Sequence, residues 1–217
     1  AVRLPDGTYT DLIQEGKLAD EGVTLADFSG GRAKQEGSYG QLAWNGELYH
    51  AFTVSAADCT LPNLTAPDGG ILRLNISGDC TVDGISAQTF SANLDCGDGT
   101  FQNISTENYT AKSSYGDLQL SDSEVKDSLS VEADSGSVTF ARIDIRNRCQ
   151  VQDDFGDVEM NAVTCGVAEM TLDSGSLTVN RFECTDEDAS SIFTLDFGDF
   201  ICIRSKLWNS DISLDSG

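Results

Sequence analysis

Aspartate recurs at two fixed distances from a repeating glycine, and this constellation of the 217-residue chain has the clearest capacity for chemistry. Two residues before the glycine stand Asp95, Asp134, Asp154, Asp173, Asp196 and Asp215. Directly after it come Asp79, Asp98, Asp117, Asp157 and Asp199. If successive repeats stack, these residues become two acidic ladders along one edge. Hard cations bind sets of several oxygens, so stacked carboxylates are where a calcium or magnesium site would begin. The spacing lacks the nonapeptide Gly-Gly-x-Gly-x-Asp calcium repeat, however. Asp before Gly also has a local task. It caps a tight turn by accepting nearby backbone N–H groups, while glycines such as Gly156 and Gly175 take positive φ. Turn capping is the reading adopted, and no metal ligand is assigned.

Other reactive residue types lack partners in the sequence. His50 is the single histidine, so any Ser-His-Asp device would need it. It sits mid-strand with no nucleophile motif beside it and reads as a packed or surface histidine. Asp-Phe-Gly at 154–156 and 196–198 matches a kinase motif in letters only. Both copies fall on the repeat glycine and read as turns. Seven cysteines (Cys59, Cys80, Cys96, Cys149, Cys165, Cys184, Cys202) form no C-x-x-C pair and no zinc spacing. Cys165 and Cys184 share one repeat position and should stack about 4.8 Å apart, as buried free thiols rather than a disulfide. Four Asn-x-Ser/Thr sequons, at Asn63, Asn75, Asn103 and Asn108, are near chance for so Ser/Thr-rich a chain. No catalytic residue and no cofactor is expected.

The elements that must position these residues follow from the glycine series Gly78, Gly97, Gly116, Gly136, Gly156, Gly175, Gly198 and Gly217. Its gaps are 19, 19, 20, 20, 19, 23 and 19 residues. A period near twenty marks a stacked-repeat architecture. Offsets +2 and +4 from the glycine are apolar (Val138/Phe140, Val158/Met160, Leu177/Val179, Phe200/Cys202) with a mostly polar residue between them. That alternation is a half-buried strand. Offsets +7 and +9 give a second strand, as in Ile143/Ile145 and Phe182/Cys184, and a third precedes the next glycine, as in Leu129/Val131/Ala133 and Ile212/Leu214. The spacing predicts an all-β fold, a single-stranded right-handed parallel β-helix of about 20-residue coils and roughly 34 Å in length. The insertion Thr185-Asp-Glu-Asp-Ala-Ser-Ser191 should bulge as an acidic loop.

Residues 67–217 carry these repeats, and residues 1–66 read as an N-terminal cap. Within the cap, Gln41–Trp44 and Glu47–Val54 flank Asn45-Gly46, the signature of a two-residue hairpin. A coil end is an open strand edge that needs such cover. Gly7-Thr-Tyr-Thr and Gly22-Val-Thr-Leu hint at degenerate coils, and 30–37 reads as a loop.

The repeats Asp-Ser-Gly-Ser-Val-Thr (134–139), Asp-Ser-Gly-Ser-Leu-Thr (173–178) and Ser-Gly-Asp-Cys-Thr-Val (77–82) resemble those of the bacterial SGD-repeat adhesin β-solenoid family, over about residues 70–217. The resemblance implies a right-handed β-helix presented at the cell surface and brings no catalytic residues.

Charge narrows the function classes. With 36 acidic against 13 basic residues the net charge is −23, which repels phosphate backbones and anionic membranes. Nucleic acid is not an expected partner. No run of eighteen apolar residues exists to span a bilayer. The start Ala1-Val-Arg-Leu-Pro-Asp lacks the features of a signal peptide. Localisation is expected to be extracellular or at the cell surface, with leader or anchor outside this stretch, and cytoplasmic as the other option. The expected function is a non-enzymatic surface-displayed or structural module contacting an unknown protein or glycan partner. The alternatives are a self-polymerising scaffold assembling end to end, and a carbohydrate-active β-helix enzyme, which would need longer loops and more Arg and Lys.

Overall fold

The computed structural model describes residues 58–65 and 70–216, and upstream of these the backbone of the strands Leu18–Ala19, Gly22–Ala26, Ala33–Lys34, Ala43–Trp44, Glu47–Leu48 and Ala51–Ala56. Side chains are described for residues 58–61 and 70–216. The described elements are all strands, and from Ala51 onward every pairing is parallel. Register partners run Cys59↔Cys80↔Gly99↔Leu118↔Val138↔Val158↔Leu177↔Phe200, which marks eight stacked coils. The chain is an all-β solenoid, as the glycine period predicts.

Each coil closes because its inward positions are apolar. Val138, Phe140, Ile143 and Ile145 are all at most 2% exposed, while Arg142 faces solvent and Thr139 is half-buried. The third strand of each coil contributes Leu129, Val131 and Ala133, then Cys149 and Val151, then Ala168, Met170 and Leu172. At the thick end Phe90, Phe101 and Tyr109 pack with ring centroids 5.1–6.2 Å apart. Gly99 makes room for them: a Cβ there would lie 2.8 Å from the Phe101 ring and 2.5 Å from Leu94. In the last coil the expected inward positions Cys202, Ile212 and Leu214 are exposed, because no described coil covers them.

The first two strands of a coil meet at a corner that the apolar pattern did not announce. Six positions with one repeat spacing hold left-handed backbone: Asn103 (φ 54), Asp122 (φ 51), Arg142 (φ 57), Ala162 (φ 57), Arg181 (φ 52) and Arg204 (φ 50), with Gly84 (φ 75) preceding them. One such residue breaks the period of two, so Phe140 and Ile143 both point inward although three residues apart. A non-glycine residue held there costs on the order of 1 kcal/mol. Burying the two side chains that follow offsets it. Where the following residue is serine, its hydroxyl serves the ladder. Ser123 Oγ accepts the Ile104 N–H at 3.0 Å and donates to the Ser121 carbonyl at 2.6 Å, and Ser205 does the same with Phe182 and Ile203 at 3.0 and 2.9 Å. Arg142 reaches back one coil to Asp122 in a two-pronged pair of 2.5 and 2.7 Å. The hydrogen bond and charge of that guanidinium hold the Asp122 carboxyl below its ordinary range.

The glycine corner is closer still. A Cβ on Gly116, Gly136, Gly156, Gly175 or Gly198 would sit 1.7–2.3 Å from the carbonyl oxygen of the preceding coil's glycine. Gly175 has φ 144, as the turn reading requires, but Gly156 does not hold positive φ. That expectation is corrected: what excludes a side chain throughout the column is contact between coils, with the dihedral a second reason at some positions only.

Upstream, the ladder runs on through Cys59–Thr65, Ala51–Ala56, Gly22–Ala26 and Ala33–Lys34, each paired in parallel with the coil beyond. Ala43–Trp44 pairs antiparallel with Glu47–Leu48, with residues 45–46 between them, the arrangement expected of the Asn-Gly sequence. His50, the Asn45-Gly46 turn, Gly7 and the 30–37 loop lie outside the described residues.

Two expectations test this packing. Phe140→Ala should lower the unfolding free energy by about 3–5 kcal/mol and Thr139→Ala by well under about 1, read from urea melts. Equal losses would mean the register is wrong. Gly156→Ala and Gly175→Ala should each destabilise by more than about 2 kcal/mol, because both replacements meet a carbonyl. A harmless Gly156→Ala would leave dihedral preference as the only reason for the column.

Candidate functional site

The glycine corner presents three parallel columns of side chains, at offsets −2, −1 and +1. Its backbone is satisfied between coils. The N–H of Gly116, Gly136, Gly156 and Gly175 donates to the carbonyl of the residue before the next glycine at 2.9–3.1 Å. The N–H at offset +2 donates to the next coil's +1 carbonyl, as from Cys80 to Asp98 and from Leu118 to Ser137. The remaining donor, the +1 N–H, is met by aspartate. Asp79 Oδ1 accepts from the Asp98 N–H at 3.1 Å, Asp98 from Asp117 at 2.9 Å, Asp117 from Ser137 at 2.8 Å, and Asp157 from Ser176 at 2.8 Å. Capping therefore comes from the aspartates after the glycine, not from those before it as expected, and it does not stay within one turn. Each carboxylate caps the following coil, so the +1 column is a zipper along the solenoid.

The −1 column carries side chains whose role the sequence pattern did not suggest. Tyr115, Phe155 and Phe197 are 62%, 64% and 58% exposed. Register pairs place Ser135 next to Phe155, Phe155 next to Ser174, and Ser174 next to Phe197. From Tyr115 to Phe197 an aromatic ring thus stands at every second coil, with serine between, while Ser77 and Cys96 hold the position in the two coils before. The two Asp-Phe-Gly copies are these aromatic corners, and they are turns as expected. On the −2 column Asp95, Asp134, Asp173 and Asp196 are exposed and Asp154 is half-buried. Position −1 was legible in principle: a ring at a corner, flanked by Asp and Gly, has no inward direction available.

Beneath this edge lies Asp153, also missed, at an inward position between Ala133 and Leu172 in register. It is 0% exposed, and neither carboxylate oxygen is well hydrogen-bonded. The Phe155 N–H is its nearest backbone influence. Burial pushes the carboxyl up to about 7, against that lesser pull, and the charges of Asp154 and Asp157 add to the rise. Asp in a run of Asp-Asp gives no sign of which member points inward; only the strand register decides.

The remaining sites are structural. Cys165 and Cys184 stack in register with their sulfurs 4.0 Å apart, as free thiols. The hydrogen bond to Cys184 and burial hold the Cys165 thiol protonated. Cys59 and Cys80 form a second register pair, and Cys96 is exposed. Asn103, a sequon residue, donates to Asp83 at 2.6 Å, and Asn108, another, accepts from Ser128 at 2.8 Å. The insertion bulges outward over 185–190, where Asp186 Oδ1 accepts the N–H groups of Asp188 and Ala189 at 3.0 and 3.2 Å, but Ser191 is buried and opens the strand Ser191–Phe197. Among the described residues no three or more His, Cys, Asp or Glu side chains are grouped to hold a metal ion.

Asp153 sets a pH dependence. The folded state keeps a proton that the unfolded chain releases near pH 4, so stability is lost as pH rises from about 4 through about 7. Asp153→Leu extends the column into Leu172. It should add roughly 2 kcal/mol at about pH 8, and clearly less at about pH 5, in urea melts. A gain independent of pH would show that the carboxyl is not held protonated.

Comparison with known proteins places the fold. Residues 50–146 match the family Toastrack DUF4097, a domain family with no catalytic assignment. No curated protein and no solved structure matches the chain. The chain is a β-solenoid repeat protein, similar over residues 50–146 to the Toastrack domain.

Proposed function

We propose that the chain is a non-enzymatic, surface-displayed rod that holds a partner on its glycine-corner edge. The observation that carries this reading is the exposed aromatic row Tyr115, Phe155 and Phe197 on a backbone locked by inter-coil hydrogen bonds. Rings held outward at fixed spacing contribute nothing to the core, and on a rigid edge they are pre-organised for contact, which lowers the entropic cost of binding. The corners are too short to wall a cleft in which water could be excluded from a reaction.

The test compares the labelled chain with a Tyr115→Ser, Phe155→Ser, Phe197→Ser variant, which extends the serines already at 135 and 174. Binding is measured to intact bacterial cell surfaces and to a glycan array, with melting curves alongside. Saturable binding by the parent chain should fall at least about tenfold in the variant, with stability unchanged within about 0.5 kcal/mol. Equal binding by both chains, or release of reducing sugar from polysaccharide, would overturn the reading.

A further inference from the structure

From Gly116 to Gly198 the corner sequences repeat over two coils, not one, whereas the corners before them, Ile76-Ser-Gly-Asp79 and Asp95-Cys-Gly-Asp98, carry no ring. The repeating corners read Ser114-Tyr-Gly-Asp117, Asp134-Ser-Gly-Ser137, Asp154-Phe-Gly-Asp157, Asp173-Ser-Gly-Ser176 and Asp196-Phe-Gly-Asp199. Phe155 and Phe197 have aspartate on both sides, and Tyr115 has Asp117. The serine corners carry one aspartate each. A single-coil fold requirement cannot produce this alternation, because every coil needs the same turn.

The edge is also free of positive charge. The described basic residues lie at other positions: Arg142, Arg181 and Arg204 at left-handed corners, Arg146, Arg148 and Lys126 around the third corner, Lys112 paired with Glu132, Lys206 paired with Glu183, and Arg73 within the strand Ile71–Ile76. None falls between offsets −2 and +1 of any corner from Gly97 to Gly198. Asp153 adds an unpartnered, fully buried carboxyl directed at the Gly156 corner from inside; a Cβ on Gly156 would lie 3.0 Å from its Oδ2. An exposed ring flanked by carboxylates suits an ammonium or guanidinium, which the ring face and the acids attract together. Neutral sugars also stack on rings and can donate hydroxyls to carboxylates, but they carry no charge to balance the acids at each ring, as a cation does.

Resting on the edge reading above, we infer that the partner is a protein presenting an extended cationic segment, with Lys or Arg at every third residue. The spacing decides this. Rings two coils apart lie about 9.6 Å from one another. Three residues of polyproline II span about 9.3 Å, and three of a β-strand about 10 Å. A segment lying along the solenoid axis would seat one cation at Tyr115, one at Phe155 and one at Phe197.

The experiment titrates the 217-residue chain with fluorescent nine-residue peptides of Lys and Ser. One has Lys at every third position, and one has the same three Lys adjacent. A cello-oligosaccharide and calcium chloride at matched ionic strength serve as competitors, and sedimentation monitors self-association. The spaced peptide should bind at least fivefold tighter than the clustered one. The Tyr115→Ser, Phe155→Ser, Phe197→Ser variant should lose at least tenfold, and Asp154→Asn with Asp157→Asn should weaken binding and its salt dependence. Equal affinity for both peptides, or binding indifferent to the serine variant, would reduce the interaction to bulk charge and overturn the inference. Competition by the oligosaccharide or calcium alone, or self-association lost in the serine variant, would overturn it in favour of those occupants. A chain that binds cell surfaces through the rings yet ignores both peptides keeps the edge reading and loses the cationic partner. A chain that does neither loses both.

Discussion

Everything in this solenoid depends on one column of glycines in which no Cβ fits. At the corner, successive backbones approach so closely that a methyl group on one coil would stand on the carbonyl oxygen of the coil before it. That closeness lets the corner amides bond from coil to coil instead of to water. It also fixes the axial register, since each glycine has a single place to sit. The strands then inherit the register, and their alternating side chains stack into columns whose neighbours are set by it.

The closeness leaves one N–H per corner without a backbone acceptor, and this explains the aspartates better than any ligand does. A carboxylate reaching to the following coil supplies the missing acceptor, and a charged acceptor makes the stronger bond. Stacked carboxylates repel, by roughly 0.8 kcal/mol per neighbouring pair in water. The column tolerates this because each charge is shared with an amide and because serine interrupts the series at 137 and 176. The second corner solves a different problem. Its left-handed residue resets the alternation so that two strands of one coil can both face inward, and inward serines restore the amide bond that the bend disturbs. Asp153 stands apart as a carboxyl in an apolar column, fully buried beneath the Gly156 corner.

Once corner and core requirements are met, the edge retains freedom at offsets −2 and −1. Position −1 faces outward on every coil, and neither packing nor hydrogen bonding constrains its side chain. Aromatic residues there cost solubility and return nothing to the fold.

The sequence by itself determined the architecture. Glycines about twenty residues apart, with apolar residues at +2 and +4, admit no other arrangement that buries Val138 beside Phe140 and exposes Arg142. It determined the stacking of Cys165 on Cys184 as well, because equal offsets in an in-register solenoid are neighbours. What it could not show was anything that depends on the distance between coils. The glycine column looked like a demand for positive φ, yet Gly156 lacks it and is excluded from bearing a side chain by a carbonyl 2.1 Å from where its Cβ would be. The aspartates looked like caps of their own turns, yet their acceptor role passes to the next coil. The left-handed corner was hidden because Arg142, Ala162 and Arg181 do not advertise it. The buried Asp153 was hidden because a period of two does not say which face a strand turns as it leaves a corner. Only the assembled tube decides that, since inside and outside exist only after the coil closes.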